Sequence, residues 1–362
     1  MTQMVGQQLA TPEELAGRIF EAAVGGIEIL SIYLGDRLGY YRALSRGPLT
    51  SAELASATGT NERYAREWLE QQATAQFLSV DRPGAPADER RYALPPGYEA
   101  VLVDELSPAY VAPIGRLMKV AGTVAESLLT AYRTGGGISW AEMGADAREA
   151  QAAFNRPFFA TALAGYLEQV PGLDAALRTP GAAVAEIGCG GGYALVAIAQ
   201  AYPSVRADGF DIDAPSVEMA RANVAAAGLS GRVSVHHRDA GDAALAGSYD
   251  LVAAFECIHD LPNPVAVLAN MRRLVKPGGT VLVMDERVSD EFGAFGDLTE
   301  RLFYAASLFI CLPDGMSTQP SAATGTVMRP ATLARYAREA GFRDTEILPL
   351  EHDLFRFYRL VV

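Results

Sequence analysis

Residues 182–192 read Ala-Ala-Val-Ala-Glu-Ile-Gly-Cys-Gly-Gly-Gly. Small and branched apolar residues run into an acid, Glu186. Gly188, Gly190, Gly191 and Gly192 follow, and an apolar stretch opens at Tyr193. This pattern predicts a buried parallel strand, a glycine turn and the start of a helix. Glycine lets the backbone turn tightly and lets a bound molecule approach without meeting a Cβ. Turns of this kind serve phosphates, dinucleotides and purely structural roles, so the loop alone leaves all three open.

The residues on the C-terminal side narrow the choice. Val205 to Asp213 reads as a second strand ending in acids, with Asp211 23 positions after Gly188. An acid at the tip of the second strand is placed to accept hydrogen bonds from ribose hydroxyls. A helix is expected from Ser216 to Ala227, stopped by Gly228. A third strand, Val233 to His237, runs into Arg238-Asp239-Ala240. A fourth, Tyr249 to Phe255, ends before Glu256-Cys257-Ile258-His259-Asp260. A helix from Pro264 to Leu274 breaks at Lys276-Pro-Gly-Gly279, and a fifth strand, Thr280 to Met284, ends in Asp285-Glu286. Strands alternating with helices predict an open α/β sheet with ligands at the carboxyl ends of the strands.

In this order, Glu-x-Gly-x-Gly-x-Gly at 186–192, the acid at 211, Arg-Asp-Ala at 238–240 and Pro-Gly-Gly before strand five resemble a class I S-adenosylmethionine (SAM) methyltransferase. The resemblance covers about half the chain. A dinucleotide site would want Gly-x-Gly-x-x-Gly, whereas here the third glycine comes one residue sooner, at 192; a P-loop would want Lys-Ser/Thr, which is absent. The resemblance implies an α/β, Rossmann-like, seven-stranded domain closed by a reversed last strand. That strand is expected at Leu354 to Val361, after a helix Pro330 to Ala340 and a glycine turn at Gly341.

Composition sets bounds. The chain has 362 residues, half of them apolar, which is room for two globular domains. Its net charge of −13 argues against binding a phosphate backbone. Cys189, Cys257 and Cys311 show no paired spacing, which suits a reducing, cytoplasmic setting and gives no metal site or disulfide framework. The first residues lack a basic stretch followed by an apolar core, so no signal peptide is expected. No apolar run reaches the ~18 residues of a membrane span.

Thr11-Pro-Glu-Glu starts a long helix on which Leu15, Ile19, Phe20, Ala23, Ile27, Leu30 and Tyr33 follow helical spacing. The stripe faces either the chain's own core or a second subunit. A short capped helix, a glycine turn and a second cap within 49–61, a helix at 62–75, then strands at Phe77 to Val80 and Arg91 to Leu94, make a winged-helix module. Its second helix carries Arg63 and Arg66 against Glu62, Glu67 and Glu70, the wrong balance for DNA. The resemblance agrees: small-molecule O-methyltransferases place such a module in front of the catalytic domain as a dimerisation and lid element. We therefore expect residues 1–178 to form a helical, winged-helix dimerisation domain and 179–362 the SAM-binding domain, with a homodimer as the assembly.

The remaining stretches supply candidate site residues. Residues 98–134 read as helical. A helix from Glu149 to Gln169 is expected to kink or restart at Pro157. Phe154 and Asn155 match a Phe-Asn element that the family leans over its active site, so Phe154, Asn155 and Phe158 are assigned to the acceptor wall. Tyr304 and Met316, in the apolar insertion 291–324, are either core or pocket lining. Ile258-His259-Asp260-Leu261 resembles the family's His-Asp-Trp segment, whose histidine is the catalytic base; Leu261 replaces the tryptophan. Glu286 matches the glutamate that hydrogen-bonds this histidine, with Asp285 the alternative within one residue of pleat. A second family glutamate is replaced by Val327. An unperturbed imidazole titrates near 6.5, so His259 is expected largely neutral.

For the cofactor, the resemblance gives Glu186, Gly188, Gly190 and Gly192 the methionine part. Asp211 (or Asp213) takes the ribose, and Ile212 an adenine face. Asp239 and Ala240 receive the adenine amino group, and Phe255 and Glu256 lie on the sulfonium side. The implied reaction is methyl transfer from SAM to a small hydrophobic acceptor, oxygen favoured, leaving S-adenosylhomocysteine. A winged-helix regulator and a SAM-binding protein of another chemistry are the alternatives.

Overall fold

The computed structural model describes residues 10–294 and 296–362. The reading of the extreme N-terminus as free of a signal peptide falls largely on residues 1–9 and lies outside the described residues. The chain forms two compact units, one up to Lys119 and one from Val120 to Val362.

In the first unit, Thr11 caps the helix Pro12–Arg37 through a reciprocal capping box with Glu14. Helices Tyr40–Leu44, Ser51–Thr58 and Glu62–Thr74 follow, the last two capped by Thr50 and Asn61. Strands β1 (Ser79–Asp81) and β2 (Arg91–Ala93) pair antiparallel to make the wing. The core gathers Tyr40, Tyr41, Leu54, Leu69 and Tyr92 around Trp68, which meets the two tyrosine rings edge-on at 4.8 and 5.2 Å. Such pairs add about 0.5–1.5 kcal/mol each beyond area burial. The long helix does not use its apolar stripe here: Ile19, Phe20 and Ile27 are 62%, 71% and 67% exposed. The reading of that stripe as the chain's own core is therefore set aside.

The expected helix over 98–134 is two helices, Glu99–Leu102 and Ile114–Thr134. Pro108 and Pro113 interrupt the pattern, and Asp104 and Ser107 bond the backbone N–H groups of Leu106 and Ala109 instead.

The second unit is built on a seven-stranded sheet. Its strands are β3 (Ala183–Ile187), β4 (Arg206–Asp211), β5 (Val233–His237), β6 (Tyr249–Phe255), β7 (Val275–Glu286), β8 (Asp344–Ile347) and β9 (Phe355–Val361). They lie in the order β5-β4-β3-β6-β7-β9-β8. β3 to β7 are parallel, and β9 runs antiparallel to both neighbours. Alternate residues serve two cores. Val184, Leu251, Ala253, Leu282 and Met284 face one; Ala185, Ile187, Val252, Ala254, Val281 and Val283 face the other. A sheet buried on both faces needs such continuous apolar strands. The chain reverses its direction of winding between β3 and β6, which places a crevice at their carboxyl ends.

Three local readings shift. β7 begins at Val275 rather than Thr280, and Lys276-Pro-Gly-Gly279 forms a bulge opposite Asp250, with Gly278 at φ +80°. The helix Ala145–Thr161 runs through Pro157 and breaks at Ala162 instead. The compact units divide at Lys119/Val120, and the boundary expected at 178/179 falls inside the second of them. The reason is packing: Phe159, Leu163, Leu167, Leu173 and Leu177 belong to the sheet's own core.

Candidate active site

The glycine loop leaves β3 with Gly188, Gly190 and Gly192 at φ +66°, +47° and +72°, conformations that L side chains rarely adopt. The two outer glycines are also crowded. A Cβ on Gly188 would lie 2.7 Å from Cys257 and one on Gly192 2.9 Å from Ala220, while Gly190 faces open space. Behind the loop, Glu186 is 3% exposed, and its Oε2 has no hydrogen-bond partner among the described residues. Burial, with Asp211 nearby, pushes its carboxyl well above the usual range.

Asp211, at the tip of β4, accepts the backbone N–H of Gly190 at 2.8 Å and of Asp213 at 2.9 Å, tying the strand end to the loop. Asp213 is occupied elsewhere. It caps the helix Ala214–Ala226 through the Ser216 N–H and hydroxyl, at 3.0 and 2.7 Å, and meets Arg148 at 3.5 Å. Ile212 stands 71% exposed between them. Asp239 is exposed and turns back onto the Gly241 N–H, and Ala240 beside it is buried.

The second group of residues sits where β6 and β7 end. Phe255 is buried against Phe159. Glu256 takes φ +52°, held by its N–H to the Met284 carbonyl at 2.8 Å. Its carboxylate accepts from Gln151 at 2.8 Å and from Asn155. Gln151 and Asn155 are four residues apart, hence on one face of their helix. Burial, then the charge of Glu286, raises the Glu256 pKa to about 8.

His259 lies in the short 3₁₀ turn Ile258–Asp260 and is 2% exposed. Its Nδ1 bonds Asp285 Oδ1 at 2.8 Å; Glu286 Oε2 is 3.0 Å away but makes no hydrogen bond. The pleat explains the preference, since Asp285 shares the face of Val281 and Val283. Of the two acids left open by the sequence, Asp285 therefore takes the bond. Asp260 Oδ1 lies 3.2 Å from the other ring nitrogen, Nε2. Burial alone would hold the imidazole neutral, but Asp260, Asp285 and Glu286 outweigh it and raise its pKa well above the usual value. The largely neutral imidazole expected from sequence does not survive this surrounding. Burial also lifts Glu286 to about 8, against the opposing pull of His259.

The remaining candidates are spread out. Phe158 packs in an aromatic cluster with Tyr166, His352 and Phe355, and Phe154 is half-buried one turn before it. Tyr304 accepts a hydrogen bond from Arg329 at 3.2 Å, and Met316 ends the helix Leu312–Met316 beside Gly137. The structure joins His259, Asp285, Glu286, Glu256 and Asn155 in one group. The ring contacts of Phe158 are with the aromatic cluster instead.

Sequence reasoning missed three contributors. Gln151 was legible from its i, i+4 spacing to Asn155. Cys311 and Asp314 were not: both lie in the apolar insertion, where helix Leu298–Ala306 passes into a π turn, Ser307–Cys311. That turn brings Cys311 to the His259–Asp260 pair. Asp314 accepts the Trp140 N–H at 2.6 Å and is raised to about 7 by burial and by Asp260.

A doubly wound sheet with a glycine loop, an acid at the tip of the neighbouring strand and a reversed last strand is an architecture suited to a nucleoside-bearing ligand. A methyltransferase-domain family matches residues 184–279, and an Rv2258c-like winged HTH domain family matches residues 27–103. A ubiquinone biosynthesis O-methyltransferase of Aromatoleum aromaticum is 30% identical over 175 residues, 48% of this chain and 69% of that protein. Its Thiobacillus denitrificans counterpart is 29% identical over 191 residues, 52% and 76% of the two chains. The fold is shared with mitomycin 7-O-methyltransferase MmcR (TM-score 0.70, 21% identity, 96% of this chain and 97% of that one). It is shared as well with human N-acetylserotonin methyltransferase in complex with SAM (0.65, 20%, 99% of both). The chain belongs to the class I SAM-dependent methyltransferases, with a winged-helix domain preceding the catalytic sheet. SAM is its cofactor and S-adenosylhomocysteine the product. Among the described residues no helix is long and apolar enough to cross a membrane.

Proposed function

We propose that this enzyme methylates a small aromatic or hydrophobic acceptor at oxygen, with His259 as general base. The observation that carries the reading is the buried His259–Asp285 bond of 2.8 Å. Donating Nδ1–H to a carboxylate fixes the tautomer, so that Nε2 carries the lone pair once the imidazole has lost its second proton. That lone pair takes the acceptor's hydroxyl proton, and Asp285 and Glu286 stabilise the imidazolium that results. A positioned base of this kind contributes about 10²–10⁴-fold.

SAM fits the residues present. The orphaned oxygen of Glu186 suits an ammonium group, the open side of Gly190 admits a ligand, and exposed Ile212 offers an apolar face to a purine. We assign Glu186, Gly188, Gly190 and Gly192 to the methionine end, and Asp211 to the ribose, Asp213 being committed to its helix. Asp239 and Ala240 face the adenine edge, and Phe255 and Glu256 the sulfonium. Bound SAM supplies a methyl group already activated by its sulfonium. The chain's task is to orient the acceptor, to hold water out around the buried histidine and to accept one proton at Nε2. Phe154, Asn155, Phe158, Tyr304 and Met316 are assigned to the acceptor side, with Asn155 placed by its bond to Glu256.

The N-terminal unit is assigned to homodimerisation through the exposed stripe of Pro12–Arg37 rather than to DNA. Arg63, Arg66 and Arg90 already pair with Glu67, Glu62 and Glu70, and a phosphate backbone would have to displace those acids. The test of the base is His259→Ala. Turnover with a methylatable phenol should fall about 10²–10⁴-fold, while S-adenosylhomocysteine binding by calorimetry stays within a few-fold. Unchanged turnover removes His259 from the role.

A further inference from the structure

Around Nε2 of His259, three electron-pair donors converge. Nδ1 bonds Asp285, and in the deprotonated ring Nε2 presents a lone pair to Asp260 Oδ1 at 3.2 Å, a buried oxygen that receives no hydrogen bond among the described residues. The thiol of Cys311 completes the group: the ligand atoms of His259, Asp260 and Cys311 all lie within 4.8 Å of one another. In the deprotonated ring these two lone pairs repel, and either a proton or a metal cation between them relieves the repulsion. Imidazole nitrogen, carboxylate oxygen and sulfur are the donors of tetrahedral zinc-type sites, and three protein ligands with one open position is the arrangement of reactive rather than purely structural ones. An imidazole that gives its second N–H to a carboxylate is the outer arrangement that orients metal-bound histidines.

We propose that His259 Nε2, the Asp260 carboxylate and the Cys311 sulfur form a binding site for a thiophilic divalent cation of the Zn²⁺ class, oriented by Asp285. Binding forms a metal–sulfur bond and releases the thiol proton to solvent; no electron changes hands. Sulfur binds such a cation as thiolate, so binding displaces the thiol proton and affinity rises with pH. The π turn Ser307–Cys311 is what delivers the sulfur: it inserts an extra residue per turn just where the helix passes His259. An occupied site withdraws the Nε2 lone pair. The cation then switches methyl transfer off, a consequence that rests on the base assignment above, whereas the binding itself does not.

The test uses the full chain stripped with a chelator. Co²⁺ is added and the thiolate-to-cobalt absorption followed; Zn²⁺ affinity is measured by competition with a chromogenic chelator. Wild type should show the charge-transfer band and bind one Zn²⁺ per chain. Cys311→Ser should lose the band, and both it and Asp285→Asn should weaken Zn²⁺ by at least about tenfold. Mg²⁺, which prefers oxygen ligands, should not compete. S-adenosylhomocysteine binding by each variant reports that it is folded, and Cys311→Ala replaces any variant that is not. The proposal is overturned if wild type shows no band, if the band persists without Cys311, or if Mg²⁺ competes equally. Zn²⁺ binding without loss of methyl transfer would leave the site standing and overturn the base assignment instead.

Discussion

At the scale of single residues, His259 keeps one nitrogen against Asp285 and the other against Asp260, and the enzyme's pH dependence follows from that. His259 in its proposed role as base must be deprotonated to act. Here the surrounding acids raise the imidazole's pKa above its usual value, so the rate should climb with pH along a limb whose midpoint lies above the ~6.5 of a free imidazole. Glu256 and Glu286, both lifted to about 8, titrate in the same range, so the limb belongs to the group rather than to one residue. Asp285→Asn removes a charge that favours the imidazolium; the limb should move to lower pH and the plateau should fall. A kcat–pH profile measured with chelator present checks both statements. A rate already at its plateau below pH 6 contradicts them. The sequence singles out this histidine because its neighbours resemble a family motif. Its raised pKa was not legible there, because the responsible acids come from two separate elements and a one-residue pleat decides which of them bonds it.

At the scale of elements, the glycine loop makes the sharpest prediction. Gly190 combines φ +47° with open space where a Cβ would stand. Gly190→Ala should therefore lower stability by about 1–2 kcal/mol through backbone strain alone. It should also weaken S-adenosylhomocysteine about tenfold or more, because the new methyl group stands on the approach side of the loop. Calorimetry and thermal melting separate the two effects; a melting loss with full affinity would place the cofactor elsewhere. The loop and the buried parallel strands were legible, since such strands leave unmistakable apolar runs, and the reversed β9 was expected from the family resemblance. The insertion was not legible. A π turn has no periodic signature of its own, and a single cysteine among Leu308, Phe309, Ile310 and Leu312 reads as one more small apolar residue. Pro157 misled in the opposite direction: the helix carries it and breaks one turn later, at Ala162.

At the scale of the whole molecule, the long first helix raises the question of what covers it. Leu15, Ile19, Phe20, Val24, Ile27, Leu30 and Leu34 are each 40% exposed or more along the 26 residues of Pro12–Arg37. An ideal helix of that length spans roughly 39 Å. A continuous apolar face this long exceeds what monomeric proteins leave in water. Two such helices, each burying its stripe, supply the apolar centre of an interface of about 1,600 Å². Replacing Phe20 and Ile27 together by glutamate puts two charges into that centre. The variant should elute and scatter light as a monomer while wild type is a dimer at micromolar concentration. Its circular dichroism should stay close to wild type, because neither side chain belongs to the core built on Trp68, Tyr40 and Tyr41. A wild-type chain that scatters as a monomer removes the dimer assignment. A double variant that remains dimeric moves the interface to another face, with the exposed row Leu298, Leu302 and Leu308 the next to be mutated.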